Sequence, residues 1–427
     1  MPAAALSAKQ EWKRYGLLVM AAGIGFSFAS LMTPAVGLFM GPLQDEFGWS
    51  RTLLSSGSLI GAAISLLLSP LFGALIDRFG SRRLALGGLF GTSLAIASFS
   101  LMRGAEYEWL LIWFAYGLVS MTIHATTWTT AVASVFKSSR GLALGVTLAG
   151  SALASAIVAP LTNWLIEDFG WRAAYVALGT GWGAIAIVLC LFFLFDARDE
   201  QRLLLKVNKE KAAEAPNLPG LTISQAWRDS SLWRVAIATL LTLSITIGIT
   251  VHQVPIIVDA GFSRTNAAWL ASMAGIAGII GKLVTGTLID RYHVRWVGGL
   301  TLASTAFAYP LLLESFSTTT LVIVAMLVNG YAAGTKLQLC GYLTSRYGGM
   351  RNYGAIFGFM SSMIALAAGI GPLLAGITFD LAGNYSVFLI CGTAISLISG
   401  ALVFSLGKYP EWVENDEPTV QSAVSAT

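Results

Sequence analysis

Residues 269–295 read WLASMAGIAGIIGKLVTGTLIDRYHVR, an apolar helical stretch with one lysine, Lys282, in its middle. If the helix leaves the bilayer near Asp290, Lys282 lies about 12 Å inside, close to the midplane of a hydrocarbon core about 30 Å thick. A cation at that depth requires a water-filled cavity or an anion, because its side chain cannot reach the interface. The stretch therefore predicts a functional membrane helix, with purely structural pairing of Lys282 as the alternative.

The composition is that of a polytopic membrane protein. Of the 427 residues, 56% are hydrophobic and 11% are charged, whereas ordinary soluble domains have about 25% charged residues. Apolar runs of about 18 or more residues recur along the chain and predict an all-α fold with twelve transmembrane helices. The first run lacks a cleavage-type ending, so we expect it to be retained as a membrane span.

The distribution of basic residues predicts the orientation. Of the 26 Lys and Arg residues, 20 fall in segments expected on one side of the membrane and four in loops on the other. By the positive-inside rule, both termini are predicted to be cytoplasmic. The same rule explains the net charge of +4, which therefore indicates no nucleic-acid partner.

The second half of the chain aligns with the first at one fixed offset, which we call the repeat offset and define by the match of Pro42 with Pro255. Further positions that match at this offset are Gly48 with Gly261, Arg51 with Arg264, Asp77 with Asp290, and Gly170 with Gly383. Such matches predict a duplicated six-helix unit, with parallel repeats related by an axis along the membrane normal. The predicted domains are an N-terminal bundle (1–195), a cytoplasmic linker (196–232), a C-terminal bundle (233–407) and a cytoplasmic tail (408–427).

Three motifs resemble known families. Residues 73–83 read GALIDRFGSRR and resemble the G-x-x-x-D-R-x-G-R-R signature of the major facilitator superfamily, and residues 286–295 resemble its second copy. Residues 136–151, FKSSRGLALGVTLAGS, are similar to the fifth-helix motif of the monocarboxylate porter family. The Gly281-Lys282-x-x-x-Gly286 register also resembles that family's eighth helix, in which a basic residue contacts the substrate carboxylate.

The resemblance implies a fold of two pseudo-symmetric six-helix bundles that works as a monomer. Three departures qualify it. Lys282 replaces the family's usual arginine, and Gly278 stands where animal members have a proton-coupling aspartate. The glycine- and tryptophan-rich opening of many animal members is absent from the first helix, whereas residues 47–51, FGWSR, match bacterial relatives. We therefore expect a protein of the bacterial branch, in the cytoplasmic (inner) membrane.

The resemblance also assigns charged residues to a cytoplasmic gate. In this interpretation the residues form charge pairs between helices, while the alternative is that the arginines only determine topology. The predicted gating residues are Asp77, Arg78, Arg82, Asp290, Arg291 and Arg140.

Lys336 is a second predicted intramembrane cation, at nearly the depth of Lys282. Two lysines with no carboxylate nearby in sequence favour an anionic ligand. His124 lies almost at the position equivalent to Lys336 in the first half and would face the same cavity. The remaining predicted binding residues are Trp128, Tyr331 and Gln338. For these positions, ordinary packing or a nonspecific solvated cavity wall is the alternative.

Proton coupling has few candidate groups, because no Asp or Glu falls in the middle of a predicted helix. Coupling would have to use a histidine, a lysine or the substrate itself. His124 and His252 are the predicted histidine candidates. Phosphate loops, zinc-type Cys/His spacing and Ser-His-Asp arrangements are absent from the sequence, so we expect no cofactor, metal site or enzymatic activity.

The sequence therefore predicts a secondary active transporter of small organic monocarboxylate anions. It would work by alternating access in the lipid bilayer, by proton symport or by anion exchange. An exporter of amphipathic or drug-like compounds is the alternative within transport. A transporter-like membrane receptor or membrane-embedded enzyme is the alternative of another class.

Overall fold

The computed structural model describes residues 7–136, 139–195, 220–313, 318–349 and 351–410 of the chain. These residues form α-helices joined by short turns. Most of the predicted linker, residues 196–219, and most of the predicted tail, residues 411–427, lie outside the described residues.

Nine helices form the first half. They are α1 (Ala8–Ala29), α2 (Met32–Phe47), α3 (Arg51–Phe79), α4 (Ser81–Ser98), α5 (Glu106–Ser120), α6 (Ala125–Val135), α7 (Arg140–Leu148), α8 (Gly150–Val176) and α9 (Gly183–Phe193) in the described part of this half. Consecutive helices α1 and α2, α5 and α6, and α7 and α8 follow each other within single broken spans. A π-helical turn, Ala177–Trp182, joins α8 to α9.

The second half begins with a short helix beside the bundle. Its described helices are α10 (Ile223–Arg228), α11 (Ser230–Asp259), α12 (Arg264–Arg291), α13 (Val294–Ala308), α14 (Thr319–Gly348), α15 (Tyr353–Ala382) and α16 (Ser386–Phe404). The residues before α10 are held by the bundle, because the Leu221 N–H donates to the carbonyl of Gly348 at 2.9 Å.

The twelve predicted spans are present in the described residues. Ten segments there are long and apolar enough to cross a bilayer. One of them, Leu142–Phe193, is broken at Gly170, whose φ of 80° interrupts the helix and divides the segment into two spans. The remaining span is α13, which has 15 residues and is the counterpart of α4 at the repeat offset.

The helix boundaries agree with the predicted duplication. The repeat offset carries the starts of α3, α4, α5 and α7 onto the starts of α12, α13, α14 and α15. The turns also match: Gly48 and Gly261 have φ of 69° and 93°, and Gly170 and Gly383 have φ of 80° and 72°. These positive φ angles favour glycine, so the two halves share the conformation of their turns as well as the positions of their helices.

The two halves are in close contact through two equivalent pairs of small residues. A Cβ atom at Gly369 of α15 would lie 2.7 Å from the Cβ of Ala62 in α3. A Cβ atom at Gly275 of α12 would lie 2.5 Å from the backbone nitrogen of Ala156 in α8. The repeat offset converts one pair into the other. Small residues let helices approach closely in a membrane, and here they join α3 to α15 and α8 to α12.

The halves separate toward one end of the molecule. We call this the open end; it carries the α3–α4 turn and both described chain termini. There, a Cβ atom at Gly145 of α7 or at the equivalent Gly358 of α15 would meet no atom of the described residues within 4 Å. The other end, which carries the turns at Gly48, Gly261 and Gly383, is the closed end. The closed end, in contrast, has hydrogen bonds between the halves, such as those of Arg51 with Asp259 and of Thr265 with Glu167.

Candidate functional site

Lys282 lies between the two halves. Its Nζ is 3.5 Å from the carbonyl oxygen of Leu148 and 3.4 Å from Oγ of Ser151, both in the other half of the chain. Among the described residues these neutral oxygens are its hydrogen-bond partners, and both distances are at the long limit for hydrogen bonds. The ammonium is partly exposed and lacks a counter-charge at bonding distance in the described part of the chain.

The partners of Lys282 are supplied by a break in the fifth span. Helix α7 ends at Leu148 and α8 begins at Gly150, which leaves the Leu148 carbonyl available to side chains. The Ser151 hydroxyl donates to it at 3.0 Å. A Cβ atom at Gly150 would lie 2.1 Å from the carbonyl oxygen of Gly23. Glycine is thus required here for α1 to pack against the break.

Lys282 is on the open side of the contact between Gly275 and Ala156. Seven residues separate Gly275 from Lys282, so the lysine backbone lies about 10 Å farther toward the open end at helical rise. It is therefore accessible from the end where the halves separate. This position fits a ligand that enters between the bundles.

Two further predicted binding residues lie beside Lys282 on the neighbouring helix α14. Tyr331 shares a hydrogen bond of 2.9 Å with the Thr285 hydroxyl, one turn from Lys282. Gln338 is exposed, and its amide nitrogen would lie 3.3 Å from a Cβ atom at Gly286. The structure brings Lys282, Tyr331 and Gln338 to adjacent faces of α12 and α14.

Lys336 has a different environment from Lys282. It is 2% exposed, and its Nζ donates to Oγ1 of Thr246 on α11 at 2.5 Å. Lys336 thus points into the second bundle, whereas Lys282 points toward the first. The two predicted cations do not share one surface in this conformation.

The two predicted binding residues of the first half, His124 and Trp128, also differ in their environment. His124 precedes α6 as its N-terminal flanking residue, and it is exposed. Trp128 is fully buried, donates its indole N–H to the carbonyl of Ile123 at 2.7 Å, and packs on Gly25. His124 can be reached from outside the bundle, but Trp128 is part of the core in this conformation.

His252 is buried at the interface of the halves near the closed end. Its Nδ1 is 2.7 Å from the Tyr385 hydroxyl, and its Nε2 is 3.0 Å from the Ser55 hydroxyl and 3.1 Å from the carbonyl of Pro372. A carbonyl oxygen can only accept, so this contact places a hydrogen on Nε2 and leaves Nδ1 to accept from Tyr385. The neutral ring therefore satisfies all its partners.

A charged cluster that the sequence analysis did not assign closes the same end. Arg51 donates to Asp259 at 2.8 Å and to the Tyr385 hydroxyl at 2.8 Å. Asp380 accepts the backbone N–H groups of Arg51 at 3.1 Å and of Thr52 at 2.8 Å. The Arg51 guanidinium also lies 3.5 Å above the ring of Phe379. We call Arg51, Asp259, Asp380 and Tyr385 the closed-end cluster.

An equivalent set of residues lies across the pseudo-symmetry axis. Arg264, the counterpart of Arg51, donates to the carbonyl of Leu38 in the first half. Thr265 donates to Glu167 at 2.9 Å, and Glu167 is the counterpart of Asp380. Each half therefore places the start of a helix against a carboxylate of the other half. The sequence contains a signal for this arrangement, because the acids Glu167 and Asp380, both at helix ends, match at the repeat offset.

The predicted gating residues at the open end make no bridge between the halves in the described structure. Arg82 donates to the carbonyl of Leu191 at 2.7 Å, within its own half. Arg78 and Arg291 are exposed. The side chains of Asp77, Asp290 and Arg140 lie outside the described side chains, so the gate remains a prediction. No group of three His, Cys, Asp or Glu residues that could hold a metal occurs in the described ranges.

The family follows from comparison with known proteins. A family model for the Major Facilitator Superfamily matches residues 17–263 and 243–426, which together cover most of the sequence. The chain belongs to the Major Facilitator Superfamily. It is therefore a multi-pass membrane transporter and not an enzyme.

Curated relatives in this superfamily include monocarboxylate transporters of animals. Monocarboxylate transporter 13 of Bos taurus is 26% identical over 373 residues, covering 86% of this chain and 83% of its own length. Monocarboxylate transporter 12 of Homo sapiens is 24% identical over 405 residues, covering 88% and 77%. These relatives confirm the resemblance to the monocarboxylate porter family, while assignment to its bacterial branch remains a prediction.

A solved structure of similar fold is a bacterial homolog of the human lysosomal transporter Spinster, described as inward-facing and unoccupied. The TM-score is 0.70, with 93% of this chain and 97% of that chain covered. The sequence identity is 13%, so the likeness establishes the shared fold alone.

Proposed function

We propose that this transporter carries small organic monocarboxylate anions by alternating access, with Lys282 as the contact for the carboxylate. The observation that carries the proposal is the position of the Lys282 ammonium between the halves, with neutral oxygens at 3.4 and 3.5 Å as partners. A buried or partly buried cation in a membrane protein requires compensating charge. A carboxylate entering from the open end supplies that charge.

Binding of the anion would also favour movement of the halves. The Lys282 ammonium contacts Leu148 and Ser151 of the opposite half without a ligand. A carboxylate forms shorter, charge-assisted hydrogen bonds and neutralises the site. Closure around a neutral pair costs less than closure around a lone charge, so the loaded transporter would change conformation more readily than the empty one.

The names of the relatives support a monocarboxylate rather than another class of anion. An ammonium is a point charge and does not form the two parallel bonds of an arginine. We expect the carboxylate orientation to be completed by the neighbouring hydroxyl of Tyr331 and the amide of Gln338. The exposed His124 stays a candidate contact from the first half.

The orientation belongs to the same proposal. With the basic residues on the cytoplasmic side, the open end faces the cytoplasm and both termini are cytoplasmic. We place the protein in a bacterial inner membrane, where it works as a monomer.

The test is uptake by proteoliposomes of a panel of radiolabelled monocarboxylates and dicarboxylates, with and without trans-loaded anion. Lys282→Met is expected to lower carboxylate uptake at least tenfold, since a hydrogen bond to a charged group contributes about 1.5–3 kcal/mol. Lys282→Arg keeps the charge and should retain part of the activity. Lys408→Met, an exposed lysine near the chain end, is the matched control.

Two outcomes would overturn the proposal. One is wild-type carboxylate uptake by Lys282→Met, which would remove the lysine from the binding site. The other is transport of an uncharged amphipathic solute, at equal rate in the wild type and Lys282→Met, with no carboxylate uptake. That result would favour an exporter of amphipathic compounds.

A further inference from the structure

Lys336 is enclosed by the second bundle and not by the cavity between the halves. It is 2% exposed, and Thr246, its hydrogen-bond partner among the described residues, is 3% exposed. Thr246 in turn donates to the backbone carbonyl of Thr242 at 2.8 Å. An ammonium donating to Thr246 is therefore part of a short chain of neutral hydrogen bonds, with no acid in it.

Thr246, the hydrogen-bond partner of Lys336, belongs to a group of hydroxyls inside the second bundle. Tyr309 is fully buried and its hydroxyl faces those of Thr246, Thr305 and Ser396, without good hydrogen-bond geometry to any of them. The Thr305 hydroxyl donates to Ser396 at 3.0 Å. Together these groups connect α11, α13, α14 and α16 at the interior of the second bundle.

The equivalent position in the first half shows that packing does not require a lysine here. At the repeat offset the counterpart of Lys336 is Ile123, which is 0% exposed. An apolar side chain therefore fills this position in the same fold. Lys336 places a charge at a position where the first half has an apolar residue. An uncompensated charge inside the membrane is energetically costly, so its presence indicates a function.

The size of the site limits what can bind there. A water-sized sphere touches almost none of the surface of Lys336, Thr246, Thr242 or Tyr309, whose exposures are 2%, 3%, 1% and 0%. A carboxylate or a hydrated ion requires a cavity that these side chains do not leave. A proton needs no cavity, and the lysine amine is a base that can hold it.

We infer that Lys336 binds and releases the proton that accompanies the transported carboxylate, an inference that rests on the proposed function. In the loaded form the ε-amine holds the proton as an ammonium; on release, the proton leaves and the neutral amine remains. Both forms can donate a hydrogen to Thr246, so the contact at 2.5 Å survives the change. The site can thus alternate between two protonation states without repacking.

The position of Lys336 relative to Lys282 couples the two ligands. A Cβ atom at Gly281 would lie 2.4 Å from the Tyr331 carbonyl, and one at Gly286 would lie 3.3 Å from the amide of Gln338. Lys282 and Lys336 fall between these two contacts, so they lie at one level on adjacent helices. A carboxylate bound at Lys282 would favour the protonated form of Lys336, and the protonated form would favour the anion by the same factor.

The groups that could compete for this proton are few. At the level of Lys336 the described residues include no carboxylate, and the acids of these helices lie at their ends. Away from the helix ends, the titratable groups on Lys336's own helix and on the elements packed around it are Lys282 on α12, His252 on α11, Tyr309 after α13, Tyr353 on α15, and Tyr331, Cys340 and Tyr342 on α14. His252 is already held as a neutral ring by Ser55, Tyr385 and Pro372.

The test separates exchange from proton-driven accumulation. Proteoliposomes containing pyranine would be given radiolabelled lactate, either with trans-loaded lactate or with a pH gradient of one unit. Symport of one proton per lactate drives about tenfold accumulation across such a gradient, since one unit of pH corresponds to about 1.36 kcal/mol. At saturating lactate, where a weaker affinity for the anion does not limit the rate, Lys336→Met is expected to keep exchange within about twofold of the wild type. It is expected to lose both accumulation and pyranine-detected proton entry.

Lys336→Arg is the second variant, since an arginine keeps the charge but does not release its proton. It is likewise expected to exchange lactate without accumulating it. Proton-driven accumulation by either variant would overturn the inference. Loss of exchange in Lys336→Met, with an unchanged melting temperature, would also overturn it, because Lys336 would then contact the substrate.

A titration without substrate makes the inference testable apart from the proposed function. Detergent-purified wild type and Lys336→Met would be titrated between pH 5.5 and 9.5, and the proton uptake of the two compared. The wild type is expected to bind one additional proton within this range. Equal proton uptake would overturn the inference, whereas absence of carboxylate transport by the wild type would overturn only the proposed function.

Discussion

Arg51 and Asp259 belong to different halves of the chain, are separated by 208 residues in sequence, and form an ion pair at 2.8 Å. A second ion pair at the same end, between Arg172 and Glu46 at 2.7 Å, stays within the first half. Only the first pair must break when the closed end opens. This difference permits a matched experiment on the closed end.

Arg51→Met is expected to weaken the closed end. Charge-assisted hydrogen bonds contribute about 1.5–3 kcal/mol, which corresponds to a shift of roughly tenfold or more in the ratio of closed to open molecules. Spin labels at Tyr107→Cys and Leu381→Cys, both exposed near this end, would report the shift as a longer distance by pulsed electron resonance. Arg172→Met should leave the distance unchanged. An equal shift in both variants would refute the conclusion that the ion pair of Arg51 specifically holds the closed end shut.

Asp380→Ala is expected to affect the same equilibrium through the backbone of α3. Asp380 accepts two N–H groups at the start of this helix, and loss of such a cap costs about 0.5–2 kcal/mol. The variant should populate the open form of the closed end. Ser50→Ala removes a cap within the same half, to Leu53, and should lower the melting temperature without changing the label distance. A distance change in Ser50→Ala alone would contradict this distinction.

Gly145→Leu is expected to prevent the open end from closing. In the described part of the chain no atom lies within 4 Å of the Cβ position of Gly145 in this conformation, and closure would bring the other half toward it. The same spin labels should show the closed end held shut, and carboxylate exchange should fall at least tenfold. Gly87→Leu, on an exposed face of α4 with equal free space, is the control. Normal exchange by Gly145→Leu would show that closure does not use this surface.

Gly281→Ala is expected to destabilise the second bundle and displace Lys282. The added methyl carbon would lie 2.4 Å from the Tyr331 carbonyl, so α12 and α14 must move apart. Overpacking of this kind costs about 1–3 kcal/mol, which should appear as a lower melting temperature and as reduced carboxylate uptake. Gly87→Ala adds the same atom in free space and should change neither. Unchanged uptake by Gly281→Ala would indicate that the position of Lys282 tolerates such a shift.

Much of the fold follows from local information in the sequence. Length and apolarity of segments predict the twelve spans, and the internal repeat predicts which turns are equivalent. The repeat holds to the residue at the starts of α3 and α12 and of α4 and α13. The spans depend on residues close together in the chain, and the repeat depends on two copies of one pattern. Both features can be predicted without knowing how the helices pack.

The sequence predicts the depth of a residue better than its direction. Lys282 and Lys336 were expected at one level, and the contacts of α12 with α14 agree. Tyr331 and Lys336 are five residues apart, however, and five residues turn a helix by about 140° beyond a full turn. Tyr331 therefore faces α12 while Lys336 faces α11, a difference that depends on which neighbours α14 has.

Long-range pairing was the other feature that local patterns did not predict. Arg51 looks like an ordinary loop arginine in sequence, and its partners Asp259 and Asp380 are acids at distant helix ends. Likewise, the sequence predicts that Trp128 lines the cavity, but its ring packs in the core because Gly25 has no side chain there. These placements depend on tertiary contacts between helices remote in sequence.

The matched contacts of Gly369 with Ala62 and of Gly275 with Ala156 have a mechanical consequence. Both lie near mid-depth, on opposite sides of the pseudo-symmetry axis, and each brings two helices of different halves to backbone distance. A line through the two contacts is a natural rotation axis parallel to the membrane plane. Atoms on this line should hardly move during the transport cycle, while the two ends swing through equal and opposite arcs.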